Sequence, residues 1–177
     1  MKRPFASALL MLASALYAQS TVPPVAPEDP LKPLSFLEGT WEAKTEGGTA
    51  GAQAAGTYTF RMELKRHILG RHSNNDAGCT GPTDFNCDHS DMLYIYPDEV
   101  TKGLRAIYFD NEGHVINYNV TLPDSTTAVF LSDATQPGPQ FQLVYELKSG
   151  VMSGKFFIRM GGQMEWKPYL AWSGGKR

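Results

Sequence analysis

The sequence predicts an all-β protein: an antiparallel, up-and-down meander of about ten strands that closes into a barrel. The first observation is the clean alternation of residues 57–65, where Tyr58, Phe60 and Met62 share one face and polar side chains share the other. The second is a series of similar short patterns from residue 91 onward, separated by turn-forming residues. The third is that no segment shows the strand–helix alternation of a parallel sheet. Closure removes exposed sheet edges and therefore favours a barrel, with a two-sheet sandwich as the alternative.

The first 18 residues have the features of a secretory signal peptide. Lys2 and Arg3 give a positive start, and the apolar run at residues 5–16 is too short to span a bilayer. Small residues near its end offer cleavage sites, of which we favour the one after Ala18. We therefore expect a secreted or periplasmic protein.

Residues 19–33 are expected to form an extended spacer, because their five prolines fix φ and remove backbone donors. Residues 34–177 then form one barrel domain with a polar insertion at 74–90. Loss of the two basic residues in the signal peptide changes the formal net charge from −2 to −4. This mild acidity argues against nucleic acid as a partner, and no later apolar run is long enough for a membrane span.

The strands are expected in sequence after a single helical or irregular turn at residues 34–37. Gly39 lets the chain bend into the first strand, and Ser149-Gly150 and Gly161-Gly162 predict the last two hairpin turns. The predicted strands are 40–45, 57–65, 67–73, 92–96, 104–110, 115–122, 127–132, 140–148, 151–160 and 165–173.

The stretch Phe36-Leu37-Glu38-Gly39-Thr40-Trp41, the start of the second strand at Gly56-Thr57-Tyr58 and the closing hairpins resemble calycin-type barrels, the lipocalin and fatty-acid-binding architecture. More narrowly, the chain resembles the secreted bacterial family DUF1579 and, more distantly, nitrobindin. The lipocalin resemblance implies that Trp41 closes one end of the barrel under a basic side chain, either Arg159 or Lys176. The nitrobindin resemblance implies a haem bound by a late histidine. Because no histidine follows His114, we predict no cofactor.

Both cysteines, Cys79 and Cys87, lie in the polar insertion. In an oxidising compartment we expect them to form a disulfide, which would staple this loop and stabilise the fold by about 2 to 3 kcal/mol. A redox pair or a metal site is the alternative use of this segment. Asp84, Asp88, His89 and Asp91 crowd the same loop, and His72 lies on the preceding strand, but their spacing is irregular and we predict no metal site.

No pattern of a catalytic nucleophile is present. The chain lacks a Gly-x-Ser-x-Gly turn and a cysteine placed as a single activated thiol. Carboxylates that could pair across strands are of a kind usually found at exposed positions, so we predict no catalytic residue. An enzymatic alternative would rely on His67, His72 or His114 as a base.

Aromatic and methionine side chains dominate the alternating faces, which are either a packed core or the wall of a cavity. A barrel of ten strands is wider than the eight-stranded barrels that side chains just fill, which favours the cavity. Tyrosine hydroxyls, together with Arg61 or Arg105 near a rim, would then orient a ligand. The predicted ligand-binding residues are Tyr58, Phe60, Met62, Tyr94, Tyr108, Tyr118, Tyr145 and Phe156.

These observations lead us to expect a secreted, non-enzymatic barrel that binds a small apolar or aromatic molecule in its interior. One alternative is a hydrolase or isomerase that uses a histidine base at the barrel mouth. The other is an interaction module whose surface contacts another protein of the cell envelope.

Overall fold

A computed structural model describes residues 29–46, 55–75, 87–134 and 138–177. Their secondary structure is ten strands and two short 3₁₀ helices. The helices are Lys32–Leu37 and Leu64–Arg66, and the strands are β1 (Gly39–Thr45), β2 (Ala55–Glu63), β3 (Ile68–Asn75), β4 (Asp91–Pro97), β5 (Leu104–Asp110), β6 (Val115–Asp124), β7 (Thr127–Ser132), β8 (Gln140–Lys148), β9 (Val151–Arg159) and β10 (Lys167–Gly175). Within the described ranges, no helix is long and apolar enough to cross a membrane.

Every strand pairs antiparallel with its neighbours in sequence, and β1 pairs with β10 to close the barrel. The closing register places Lys44 opposite Ser173 and Thr45 opposite Trp172. The predicted fold class, an up-and-down meander closed into a ten-stranded barrel, is therefore confirmed. The architecture is compatible with a calycin-like fold.

Strand β2 begins and ends two residues earlier than the sequence predicts. It ends at Glu63, and Leu64, Lys65 and Arg66 adopt positive φ angles of 48°, 56° and 70°. These left-handed residues turn the chain directly into β3, which leaves Leu64 70% exposed instead of inside the barrel. The alternation of residues 57–65 continues through the turn, so the pattern alone did not reveal where the strand ends.

One end of the barrel, which we call the closed end, is sealed by the first helix and Trp41. Leu34 and Leu37 of this helix are fully buried, and so is Leu31 just before it, inside the stretch predicted as spacer. The Trp41 side chain is 2% exposed, and its indole N–H donates a hydrogen bond of 2.8 Å to the Leu37 carbonyl. The apolar helix and the indole thus cap the sheet on the side where β1 begins.

Lys176 is the basic residue that packs on Trp41, with its ammonium 5.4 Å from the ring centroid. Gly39 makes room for it: a Cβ there would lie 2.2 Å from Lys176 Cε, and the φ of Gly39 is +126°. The prediction of Arg159 as the partner of Trp41 is wrong, because Arg159 ends β9 at the opposite end of the barrel. There its guanidinium lies 4.5 Å from the Trp166 ring and hydrogen-bonds Gln140.

A layer of aromatic rings crosses the middle of the barrel around Tyr145. Its ring centroid lies 5.8 Å from that of Tyr58, 5.3 Å from Phe60, 6.1 Å from Phe130 and 5.9 Å from Trp172. Three of these four contacts are edge-to-face, a favoured geometry for aromatic pairs. Between this layer and the closed end, aliphatic side chains such as Leu69, Ile95 and Met152 fill the barrel.

A cross-strand row of large and small residues fits the rings together. Trp172 of β10 lies opposite Gly154 of β9, which lies opposite Tyr145 of β8, which in turn lies opposite Ala128 of β7. A Cβ on Gly154 would come within 2.2 Å of the Trp172 ring. The missing side chain at this position therefore lets the Trp172 indole lie across β9 and reach Tyr145.

Candidate functional site

A cavity of about 410 Å³ opens at the end of the barrel opposite Trp41. The aromatic layer around Tyr145 forms its deep end. Its walls are largely apolar and come from inward-facing positions on β6, β8, β9 and β10: Ile116, Phe141, Leu143, Phe156, Ile158 and Leu170. The barrel is thus packed near the closed end and hollow near the open one.

Five of the eight predicted ligand-binding residues line this cavity: Tyr58, Tyr108, Tyr118, Tyr145 and Phe156. Phe60 and Met62 share the inward face of β2 with Tyr58 but do not line the cavity. Phe60 is buried in the aromatic layer, and Met62 packs against the core further toward the closed end. For Phe60 and Met62 the predicted face is correct, but their depth along the barrel makes them core residues.

Tyr94 does not face the interior, and its prediction as a cavity residue is wrong. The inward residues of β4 are Leu93 and Ile95, both fully buried, so alternation turns Tyr94 outward. On the outer face its ring packs edge-on against His72 at 5.7 Å. Both faces of β4 carry apolar side chains, and the alternation therefore does not reveal which face is inside.

Arg71 and Asp91 form a buried ion pair in the cavity wall. Arg71 is only 7% exposed, and its guanidinium lies 5.2 Å from the Tyr58 ring centroid and 5.9 Å from that of Tyr145. Burial acts to lower the pKa of Arg71, but Asp91 and the nearby tyrosines outweigh it and the pKa rises. Burial likewise acts to raise the pKa of Asp91, yet Arg71 and His89 hold it below its usual value. Both groups are therefore charged at neutral pH.

His89 extends this pair to the mouth of the cavity. The nearby Asp91 carboxylate, against the effect of burial and together with Glu112, raises the pKa of His89 to about 9, so the ring is protonated at neutral pH. Nδ1–H donates to Glu112 at 3.0 Å, and Nε2–H donates to the Tyr108 hydroxyl at 3.2 Å while lying 3.4 Å from Asp91. Tyr108 in turn donates to Asp110 at 3.2 Å. The mouth is thus a connected network of charges.

The histidines suggested as bases lie elsewhere. His67 is exposed, and His72 pairs with Glu63 at 2.8 Å on the outer face of the barrel. His114 reaches the cavity rim, where it pairs with Asp110 at 2.8 Å and its side chain is 62% exposed. His89 and His114 each contact a buried carboxylate of the cavity lining, Asp91 and Asp110 respectively. Of these two histidines only His114 was predicted from the sequence as a possible base.

The arginines expected near the rim also face away from the cavity. Arg61 pairs with Glu63 at 2.8 Å, and Arg105 pairs with Asp133 at 2.6 Å. Both sit on strand positions whose neighbours Phe60 and Ala106 point inward, so alternation places the two arginines outside. Among the described residues, the arginine that lines the cavity is Arg71, which no sequence pattern distinguishes from the exposed arginines.

Four buried polar atoms at the deep end have no hydrogen-bond partner among the described residues: Tyr58 Oη, Tyr145 Oη, Arg71 Nε and Trp172 Nε1. Burial raises the pKa of Tyr58 to about 12 and that of Tyr145 well above its usual value, so both phenols stay neutral. Tyr58 and Trp172 are close enough for the indole to lower the pKa of the phenol, but they do not reach hydrogen-bond geometry. The deep end therefore carries hydrogen-bonding capacity that the residues described by the structure do not use.

Cys87 lies at the cavity mouth, while its predicted disulfide partner Cys79 lies outside the described residues, as does Asp84. The pairing of the two cysteines therefore stays a prediction. Within the described ranges, no group of three His, Cys, Asp or Glu side chains is placed to hold a metal ion.

No protein-family model matches the chain, and no curated protein is significantly similar to it. Function must therefore be argued from the chemistry of the cavity. The cavity combines apolar walls, unused polar atoms at the deep end and a charged, partly exposed mouth. Such a site suits a molecule that is mainly apolar and carries one or a few polar atoms.

Proposed function

We propose that this protein is a non-enzymatic binding protein of the calycin type, which holds a small, largely apolar or aromatic molecule inside its barrel. The observation that carries the proposal is the cavity of about 410 Å³ with aromatic and aliphatic walls. Its volume falls within the range of roughly 300–1,000 Å³ typical of small-molecule sites. The binding free energy would come mainly from burying apolar surface, with tyrosine hydroxyls fixing the orientation.

The proposal includes secretion, a Cys79–Cys87 disulfide beside the cavity mouth and membership of the DUF1579 family. Gly39 and Trp41 support the family likeness, because both have a structural role at the closed end. The haem of nitrobindin is not part of the proposal. Both ring nitrogens of His89, which lines the cavity, donate to protein oxygens and leave no lone pair for iron.

The neutral fluorescent probe N-phenyl-1-naphthylamine tests the proposal. We expect it to bind the wild-type protein with enhanced emission and to protect it against thermal unfolding. Ala43→Phe should abolish binding because Ala43 lines the cavity. The matched control is Lys44→Phe, which adds the same ring to the exposed face of the same strand and should leave binding intact.

Equal binding by these two variants, or no binding by the wild-type protein, would contradict the proposal. If the probe binds as expected, native mass spectrometry of protein purified from its own host would identify the class of the physiological ligand. A co-purifying small molecule lost from Ala43→Phe but kept by Lys44→Phe is the expected result.

The second candidate is an enzyme that works at the barrel mouth, and the observation in its favour is the contact between His89 and the buried Asp91. With a pKa of about 9, His89 holds a proton at neutral pH and would act as an acid before it could act as a base. Turnover of p-nitrophenyl esters by the wild-type protein but not by His89→Gln, with probe binding unchanged, would favour the enzyme. We expect no such turnover.

A further inference from the structure

The four polar atoms that have no partner within the described part of the chain belong to one cluster at the deep end of the cavity. The rings of Tyr58 and Tyr145 are 5.8 Å apart, and Trp172 lies 5.9 Å from Tyr145. The Arg71 guanidinium lies within 6 Å of both tyrosine rings, at 5.2 Å and 5.9 Å. All four residues line the cavity, and each is more than nine-tenths buried.

This cluster is complementary to a hydrogen-bond acceptor. Arg71 Nε–H and Trp172 Nε1–H can only donate, and a tyrosine hydroxyl donates one hydrogen bond. Buried polar groups without partners are rare in folded proteins, because each loses its hydration without compensation. An oxygen atom carried to the deep end by a ligand would restore several of these hydrogen bonds at once.

The charges around the cavity favour a neutral acceptor over a carboxylate. Arg71 is already balanced by Asp91, and His89 faces both Asp91 and Glu112. Asp110, at the mouth, pairs with His114, and its pKa is held below its usual value by the hydrogen bonds it accepts, against the effect of burial. Each basic group that the described residues contribute to the cavity, Arg71, His89 and His114, thus already faces a carboxylate, and an anionic ligand would find none of these three charges uncompensated.

We infer that the ligand is a neutral, mainly aromatic molecule that ends in a carbonyl-type oxygen, and that this oxygen binds at the deep end and accepts two hydrogen bonds, one from Tyr145 and one from Tyr58 or Trp172. This inference rests on the proposed function and specifies the ligand class of the same cavity. The rings of the ligand pack against apolar walls such as Leu143 and Phe156. Selectivity then comes from the buried donors, because a hydrocarbon of the same shape would leave them without partners.

Three compounds with the same pair of phenyl rings on one carbon test the inference: benzophenone, diphenylmethane and diphenylacetate. The central carbon carries a neutral carbonyl oxygen in benzophenone, only hydrogens in diphenylmethane, and a carboxylate in diphenylacetate. Affinities are measured by displacement of N-phenyl-1-naphthylamine at pH 7. We expect benzophenone to bind at least about tenfold more tightly than diphenylmethane, as two restored hydrogen bonds would give, and diphenylacetate to bind most weakly.

Tyr145→Phe isolates the contribution of one hydroxyl. The variant should weaken the binding of benzophenone by about three- to tenfold and leave the binding of diphenylmethane unchanged. The melting temperature should not fall, because the variant removes a buried hydroxyl that accepts from or donates to none of the described residues. If the Tyr145 hydroxyl instead made a structural hydrogen bond, Tyr145→Phe would lower the melting temperature and leave the affinity for benzophenone unchanged. Tyr94→Phe on the outer face is the matched control and should change neither affinity.

The outcomes separate the inference from the proposal on which it rests. Equal affinities for benzophenone and diphenylmethane, both displacing the probe, would overturn the inference and leave an apolar binding protein. Tightest binding by diphenylacetate would also overturn it, in favour of an anion site at Arg71. Failure of the probe itself to bind would remove the proposed function together with the inference.

Discussion

The buried ion pair between Arg71 and Asp91 gives the most demanding prediction. Arg71→Met keeps most of the side-chain volume but leaves the Asp91 carboxylate, 9% exposed, with His89 as its remaining charged partner. Removing one member of a buried pair usually destabilises by about 3–5 kcal/mol. We expect about 3 kcal/mol here, because Asp91 stays buried but keeps the protonated His89 at 3.4 Å. Since a domain has only about 5–15 kcal/mol of stability, the loss should be evident in urea unfolding at pH 7, followed by tryptophan fluorescence.

Two comparisons make this prediction specific. Arg71→Met combined with Asp91→Leu should recover most of the lost stability, because an apolar pair replaces the isolated charge. Arg61→Met, whose exposed arginine pairs with Glu63 on the outer face, should change the free energy of unfolding by no more than about 1 kcal/mol. The reasoning fails if Arg71→Met matches Arg61→Met, or if the double variant is less stable than Arg71→Met alone.

Three further predictions concern other parts of the barrel. Trp41→Ala should lower the free energy of unfolding by about 3–5 kcal/mol, since the indole is buried and hydrogen-bonded; an unchanged melting temperature would disprove its role at the closed end. His89 has a folded-state pKa of about 9, above its ordinary value of 6.5, so its stabilisation is complete below pH 6.5 and lost as the pH rises through 9. Because a third of the side chain is exposed, we expect this stabilisation to be only about 1–2 kcal/mol and to be absent in His89→Gln. If the free energy of unfolding varied with pH in the same way in the wild-type protein and in His89→Gln, this prediction would be wrong. Gly154→Ala should push the Trp172 indole out of place and destabilise by about 1–3 kcal/mol with weaker probe binding, whereas wild-type values in both assays would show that the ring adapts.

The fold was predictable because nearly every strand carries its own signal. Alternation along β2 and β8, together with glycine turns between the last strands, defines a sequential meander, and closure follows from the number of strands. Trp41 was predictable as an end plug only through the resemblance. Its partner was not, because the choice between Lys176 and Arg159 depends on which end of the barrel each residue reaches, and that requires the register of β9 and β10.

The chemistry of the cavity was less predictable, for a physical reason. A buried arginine and an exposed one look alike in a sequence, and Arg71 and Asp91 are 20 residues apart on strands joined by a polar insertion. Leu69 and Ser73 share the inward face of β3 with Arg71, but one leucine and one serine do not form an apolar pattern from which that face could be predicted. On β4 the apolar outer face drew attention to Tyr94, while Asp91 was assigned to the preceding loop. The ion pair becomes visible only when β3 and β4 are brought into register.

The row formed by Trp172, Gly154, Tyr145 and Ala128 separates two regions with different tolerances to change. Below it, side chains fill the barrel, and substitutions there would act on folding. Above it, residues such as Ile116 and Phe156 surround open space, so their replacement changes the shape of the cavity with little loss of packing. The same scaffold can therefore be redesigned for a different ligand from its open half alone, provided that the ring layer and the plug beneath it stay intact.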